Sequence, residues 1–265
     1  VHPMPNADFD APPVCYNDVM TFNDSSEIAT GNITNWAWDF GDGFTSTSAN
    51  PTHLYLSPGQ HQVKLKVTSD GGCQDSVTKT VTVYHLPVAL FETTPECENS
   101  AASFVQTSTS QNGNLSIFEW NFGDGGSSFS SGPLHDYNGP GLYQVTLRVE
   151  TQFGCEDTAM RSIRIYPAPD AAFGWKNNVC EGDDLPIYDQ SVIAQATPGG
   201  DQVVAWNWNV NGTMLNAQHP LYTTSIHENL NVFLIVKSNY GCIDSARNFP
   251  EIYPIPEPAF EFIIG

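Results

Sequence analysis

Positive charge is scarce in this sequence: nine Lys and Arg stand against 29 Asp and Glu, for a formal charge of −20. A surface of that sign repels a nucleic-acid backbone or an anionic membrane, and leaves cationic partners, calcium among them. Long apolar runs are missing as well. The longest is Val232–Val236, far short of the roughly 20 residues that cross a bilayer as a helix. No apolar 3.6-residue period is sustained, so helices are expected to be short or absent. There is no Cys-x-x-Cys pair to suggest zinc or thioredoxin-like chemistry, no Gly-x-Ser-x-Gly elbow and no phosphate-cradling glycine loop ahead of a helix. The opening residues carry no charged segment followed by an apolar one, so any export signal is expected outside them. No catalytic residue is assigned, no cofactor is required, and no nucleic acid or membrane insertion is expected.

What the sequence has is repetition. Cys15, Cys97 and Cys180 recur 82 and 83 residues apart, and Cys73, Cys155 and Cys242 recur 82 and 87 apart. Within each period the same signals return in order. A proline-bounded entry leads to an aromatic: His2-Pro3-Met4-Pro5 to Phe9, Leu86-Pro87 to Phe91, Pro167-Ala168-Pro169 to Phe173. The first cysteine follows, then a Trp-centred strand, a Gly/Asp turn and a polar stretch. A long alternating strand, such as Val63, Leu65, Val67 with polar residues between, precedes the second cysteine at the mouth of a hairpin. Short strands at this spacing predict an all-β chain of three tandem immunoglobulin-like sandwiches. The expected divisions are 1–85, 86–167 and 168–254, with a fourth module opening over 255–265 because Pro254-Ile255-Pro256 to Phe260 repeats the entry.

A sandwich this small is expected to need a staple. Six cysteines in an oxidising compartment permit 15 connectivities. Two per repeat favours one bond inside each: Cys15–Cys73, Cys97–Cys155 and Cys180–Cys242.

The Trp-centred segments read Trp36-Ala37-Trp38-Asp39-Phe40-Gly41-Asp42-Gly43 and Glu119-Trp120-Asn121-Phe122-Gly123-Asp124-Gly125. With Pro51-Thr52-His53-Leu54-Tyr55 and Pro58-Gly59, this resembles the polycystic-kidney-disease (PKD) domain, whose hallmark is a W-D-F-G-D-G strand and turn. Trp38 and Phe40 lie two apart on one face of a strand and are expected in the core, as are Trp120 and Phe122, Trp208 and Val210. Gly41 and Gly43 are expected at positive φ, with Asp42 bonding local amides. The third repeat departs from the pattern with Asn211-Gly212, the preferred pair of a two-residue type I′ hairpin. His53 and His135, each two residues before a tyrosine, read as capping side chains in preference to ligands. The resemblance also implies calcium near the first turn, as in some collagenase PKD modules, which points to Asp24, Asp39 and Asp42 in the first domain.

The triplets Asp75-Ser76-Val77, Asp157-Thr158-Ala159 and Asp244-Ser245-Ala246 resemble an O-glycosylation acceptor of Bacteroidetes, at Ser76, Thr158 and Ser245; the alternative is a polar opening to the last strand. Arrays of this kind resemble large cell-surface and secreted proteins of that phylum, including gliding-motility adhesins. Three uses fit: a rod-like spacer, adhesin or filament component; an accessory spacer or carbohydrate-binding module of a secreted hydrolase; and a receptor ectodomain segment. The partners expected are a protein or glycan at a cell surface, or other copies of the chain. The carbohydrate reading requires an exposed aromatic row, for which Trp36, Trp175 and Trp206 are the candidates. The short Pro-containing linkers favour the rod.

Overall fold

The computed structural model describes residues 2–94, 96–194, 200–225 and 229–258. Every described element is a strand. Among the described residues no helix is long and apolar enough to cross a membrane.

In the first repeat the alternating apolar run builds the central strand, Gly59–Ser69, of a five-stranded sheet. Its order is Val14–Cys15, Gln74–Tyr84, Gly59–Ser69, Ile33–Asp39, Thr45–Ser46. Val63, Leu65 and Val67 are fully buried while Lys64 and Lys66 between them are exposed, as a strand with one buried face requires. Shorter strand pairs, Phe9–Asp10 with Asn23–Asp24 and Met20–Thr21 with Thr52–His53, supply Phe9 and Met20 to the same core, and Phe22, between two of these strands, joins them. Trp38 fills its centre, edge-on to Phe9 at 5.2 Å. Its indole N–H donates to the Ser48 carbonyl at 2.9 Å, so burying the ring leaves no unpaired donor.

The second repeat has the corresponding five-stranded sheet, Glu96–Cys97, Glu156–Tyr166, Gly141–Thr151, Leu115–Asn121, Ser127–Ser128, and a three-stranded sheet of Phe91–Thr93, Ala102–Gln106 and Leu134–His135. Trp120 and Phe122 are buried, and the Trp120 N–H donates to the Ser130 carbonyl. The third repeat pairs a four-stranded sheet (Thr213–Leu215, Val203–Val210, Val232–Ser238, Ile243–Asn248) with a three-stranded one (Phe173–Trp175, Asp184–Asp189, Leu221–Thr223). Trp208 and Val210 are fully buried there. Its Asn-Gly turn is the two-residue hairpin expected: Val210 pairs with Thr213, and Asn211 and Gly212 both have positive φ, 45° and 89°. All three Trp strands carry a register shift at the same place, Ile33/Asn35, Leu115/Ile117 and Val203/Ala205.

The chain divides into two compact units: Val1–Glu92, Phe104–Pro133 and Val145–Arg161 in one; Thr93–Ser103, Leu134–Gln144 and Ser162–Gly265 in the other. That division runs through the second repeat and not along the repeat boundaries. Residues 254–258 form no strand, and 259–265, with the Phe260 of the expected fourth entry, lie outside the described residues.

Candidate functional site

The bonded cysteines meet across the repeats and not within them. The bonds are Cys15–Cys155 and Cys97–Cys242, with Cα separations of 5.5 and 5.6 Å, while Cys73 and Cys180 are free thiols. The expected pairs Cys15–Cys73, Cys97–Cys155 and Cys180–Cys242 are therefore corrected. The first cysteine of one repeat bonds the second cysteine of the next.

The reason lies in the strand topology. Cys15 pairs in parallel with Tyr84, the last residue of the long strand Gln74–Tyr84, whereas Cys73 sits just before that strand begins. Eleven residues at about 3.3 Å each put the two cysteines roughly 36 Å apart, and a disulfide needs Cα atoms within about 7 Å. The same holds in the second repeat, where Cys97 pairs with Tyr166 and Cys155 precedes Glu156–Tyr166. A bond inside a repeat would have to span the sandwich.

Each staple is built from a recurring set of contacts. The residue after the first cysteine donates its N–H to the carbonyl of the strand-end tyrosine: Tyr16 to Tyr84 at 2.8 Å, Glu98 to Tyr166 at 2.8 Å, Glu181 to Tyr253 at 2.9 Å. The following residue has positive φ in all three repeats, Asn17, Asn99 and Gly182. On the other side, a buried hydroxyl four residues earlier accepts the second cysteine's N–H: Ser69 from Cys73 at 3.2 Å, Thr151 from Cys155 at 3.2 Å, Ser238 from Cys242 at 3.1 Å. The strand-end tyrosine then stacks on the aromatic two residues before the bonded cysteine, Tyr84 on Phe153 at 4.1 Å and Tyr166 on Tyr240 at 4.0 Å. Backbone at each junction is also tied. His85 N–H donates to Asn112 Oδ1 at 2.9 Å, and Ala168 N–H to Glu98 Oε1 at 2.8 Å.

The Asp of each Cys-x-Asp triplet anchors the entry segment of its own repeat. Asp75 accepts from Ala7 N–H at 2.8 Å, Asp157 from Ala89 at 2.9 Å and Asp244 from Ala171 at 2.7 Å. Ser76, Thr158 and Ser245 beside them are exposed. The fold thus accounts for the aspartates and leaves the hydroxyls accessible.

The first Gly-Asp-Gly turn is organised as expected, with Gly41 and Gly43 at φ 80° and 95° and the Phe44 N–H on Asp42 Oδ1 at 3.2 Å. His53 Nε2 lies 2.7 Å from Asp42 Oδ2, and its ring stacks on Phe40 at 4.3 Å. Burial pushes the Asp42 carboxyl up; the hydrogen bonds from His53 and from Phe44 N–H outweigh it and hold the group below its ordinary value. Burial, with the Asp42 charge nearby, pushes the Tyr55 phenol up, and Tyr55 donates to the Phe40 carbonyl at 3.1 Å. These contacts fold the corner.

The proposed calcium ligands do not assemble, since no group of three or more His, Cys, Asp or Glu able to hold a metal occurs among the described residues. Asp39 accepts from Gly41 N–H at 3.0 Å, Asp42 is paired with His53, and Asp24 takes the Trp36 indole N–H at 2.6 Å and the Ser26 hydroxyl at 2.5 Å. Each carboxylate is engaged by a different neighbour.

The three extra tryptophans pack against the cores of their own repeats. Trp36 is half-buried against the core and latched to Asp24, and Trp206 packs on the third core beside Asp189 without closing a hydrogen bond from its N–H. Trp175 is half-buried against the third core as well. No tryptophan is exposed, so the aromatic row is not formed.

The PKD domain family model matches residues 1–85 and 84–165. The pre-pro-metalloprotease PrtV of Vibrio cholerae is 34% identical over 116 residues, covering 40% of this chain and 12% of that protein. Collagenase ColQ1 of Bacillus cereus is 37% identical over 93 residues, 35% of this chain and 9% of its own length. The chain thus spans about a tenth of these relatives, and they lend no support to an origin in Bacteroidetes. The solved PKD1 domain of the V. cholerae metalloprotease PrtV is 33% identical over 31% of this chain and 98% of that domain, with a TM-score of 0.29. With the Trp strand, the glycine-flanked aspartate turn and the tyrosine corner in place, and with more than half its length matched, this chain belongs to the PKD domain family.

Proposed function

We propose that this chain is a non-catalytic spacer of a larger extracellular multi-PKD protein, holding other parts of that protein away from a surface. The observation that carries the reading is the direction of the staples: Cys15–Cys155 and Cys97–Cys242 join successive repeats. A bond across a junction, an aromatic stack and a proline-bounded linker together restrict bending, which serves a spacer and adds nothing to a freely jointed string. Disulfides also suit an oxidising, extracellular compartment. The partners in this reading are a protein or glycan at a cell surface, or further copies of the array in an adhesive filament.

Small-angle scattering of the chain, oxidised and after reduction, tests it. The oxidised chain is expected to fit one narrow distribution of dimensions, and reduction to broaden it while circular dichroism stays unchanged. Identical scattering in the two states would remove the staples' role in setting the junctions.

A second reading is supported by the relatives: an accessory segment of a secreted protease or collagenase. Co-sedimentation with insoluble collagen tests that reading directly. A chain that stays in the supernatant counts against it and leaves the spacer reading standing.

A further inference from the structure

Two cysteines have no partner, and they are not a random pair. Cys180 is a first-type cysteine and Cys73 a second-type one. Each lies in a loop already in the form its bonded counterparts have.

Around Cys180 the parallel pairing with Tyr253, the Glu181 N–H bond to the Tyr253 carbonyl and the positive φ of Gly182 reproduce the settings of Cys15 and Cys97. Tyr253 corresponds to Tyr84 and Tyr166, both half-buried and stacked; Tyr253 is 42% exposed. Around Cys73 the Ser69 hydroxyl bond and the positive φ of Gly72 match Thr151 with Gly154 and Ser238 with Gly241. The bonded equivalents, Cys155 and Cys242, are each 1% exposed, whereas Cys73 is only half-buried. His2 stands at the position of Tyr84 and Tyr166, and Gly71 at that of Phe153 and Tyr240. A Cβ on Gly71 would meet the His2 ring at 2.7 Å, so the two still touch.

We propose that Cys180 is one half of a further staple, whose other half is the second-cysteine hairpin of a PKD module consecutive with the third repeat in the same polypeptide. Cys73 is the matching half for the module before. The rule is that the first cysteine of each module bonds the second cysteine of the next, so the array is stapled at every junction. An aromatic residue two positions before the incoming cysteine covers Tyr253. The bond forms by two thiol–disulfide exchanges with a small-molecule disulfide such as oxidised glutathione. One thiolate attacks it and releases a glutathione thiolate; the second thiolate attacks the resulting mixed disulfide and releases the other. Two thiol protons and two electrons leave the cysteines, and the oxidant becomes two thiols.

The test is a tandem chain in which residues 1–253 of one copy run directly into residues 3–265 of a second, so that Tyr253 takes the place of His2. After refolding in a glutathione buffer, alkylation without reduction should find two free thiols, Cys73 of the first copy and Cys180 of the second. Peptide mapping should show Cys180 of the first copy joined to Cys73 of the second. Four alkylated thiols, or Cys180 joined elsewhere, overturns the proposal. Cys180→Ser in the first copy should raise the count to three and expose Cys73 of the second; an unchanged count also overturns it. Gly71→Phe in the second copy should raise the dithiothreitol needed to open the new bond, and no change would refute the role given to Tyr253.

Discussion

Replacing Cys155 with Ser removes one staple and leaves its partner Cys15 as a free thiol. The bond closes a segment with a sequence separation of 140 residues. In the loop-entropy model that constraint is worth about 5 kcal/mol, and native disulfides typically deliver about 2–5. For a unit of about 140 residues each kcal/mol shifts the midpoint by roughly 3–4 °C, so the melt of the unit holding the first repeat should fall by about 6–20 °C. Differential scanning calorimetry of Cys15→Ser, Cys155→Ser and the double variant checks it, with Cys73→Ser as control. Both single variants should fall alike, and the double no further, because the two residues share one interaction. Cys73→Ser should stay within about 0.5 kcal/mol of the parent, since it breaks no bond. A fall on Cys73→Ser equal to that on Cys15→Ser would refute the reasoning, because it would mean that those two are bonded to each other.

Trp36→Phe should cost about 1–2 kcal/mol in urea denaturation by leaving Asp24 without its indole donor. Adding Asp24→Gln should recover part of that loss, since the second repeat carries Phe118 and Gln106 in these positions, with Gln106 Oε1 bonding Ser108 N–H as Asp24 bonds Ser26; no recovery would show that the two sites are not coupled. Thr151→Val keeps the shape but removes the acceptor of the buried Cys155 N–H, so a loss of about 1–3 kcal/mol is expected, and an unchanged midpoint would contradict it. The Asp42 carboxyl is depressed in the fold, so its contribution is fully present above the unfolded value near pH 4 and is lost as pH falls through the folded value. Urea midpoints between about pH 2 and 5 should therefore show a shallower acid limb for Asp42→Asn than for the parent, and parallel limbs would remove that role.

Periodicity and residue type made most of the fold legible. The spacing of Val63, Leu65 and Val67 placed a strand and its buried face, Trp38 and Phe40 placed the core, and Asn211-Gly212 placed a type I′ hairpin, because each depends on local backbone geometry. The cysteines were not legible in that way. Counting two per repeat ignores that the parallel pairing of Val14–Cys15 with the end of a long strand sends the two cysteines to opposite ends of the sandwich. Parallel pairing is a long-range choice with no local signature. The carboxylates misled for a related reason: Asp24, Asp39 and Asp42 are close in type and sequence, but Trp36, Gly41 N–H and His53 each claim one. The hydroxyls Ser69, Thr151 and Ser238 carried a signal that was overlooked, a Ser or Thr four residues before every second cysteine.

The central claim is that the staples run between repeats, and non-reducing peptide mapping of the oxidised chain tests it most directly. Alkylation of free thiols, proteolysis without reduction and mass spectrometry should recover the Cys15 peptide joined to the Cys155 peptide and Cys97 joined to Cys242, with Cys73 and Cys180 alkylated. Recovery of Cys15 joined to Cys73, or of Cys97 joined to Cys155, would contradict the account.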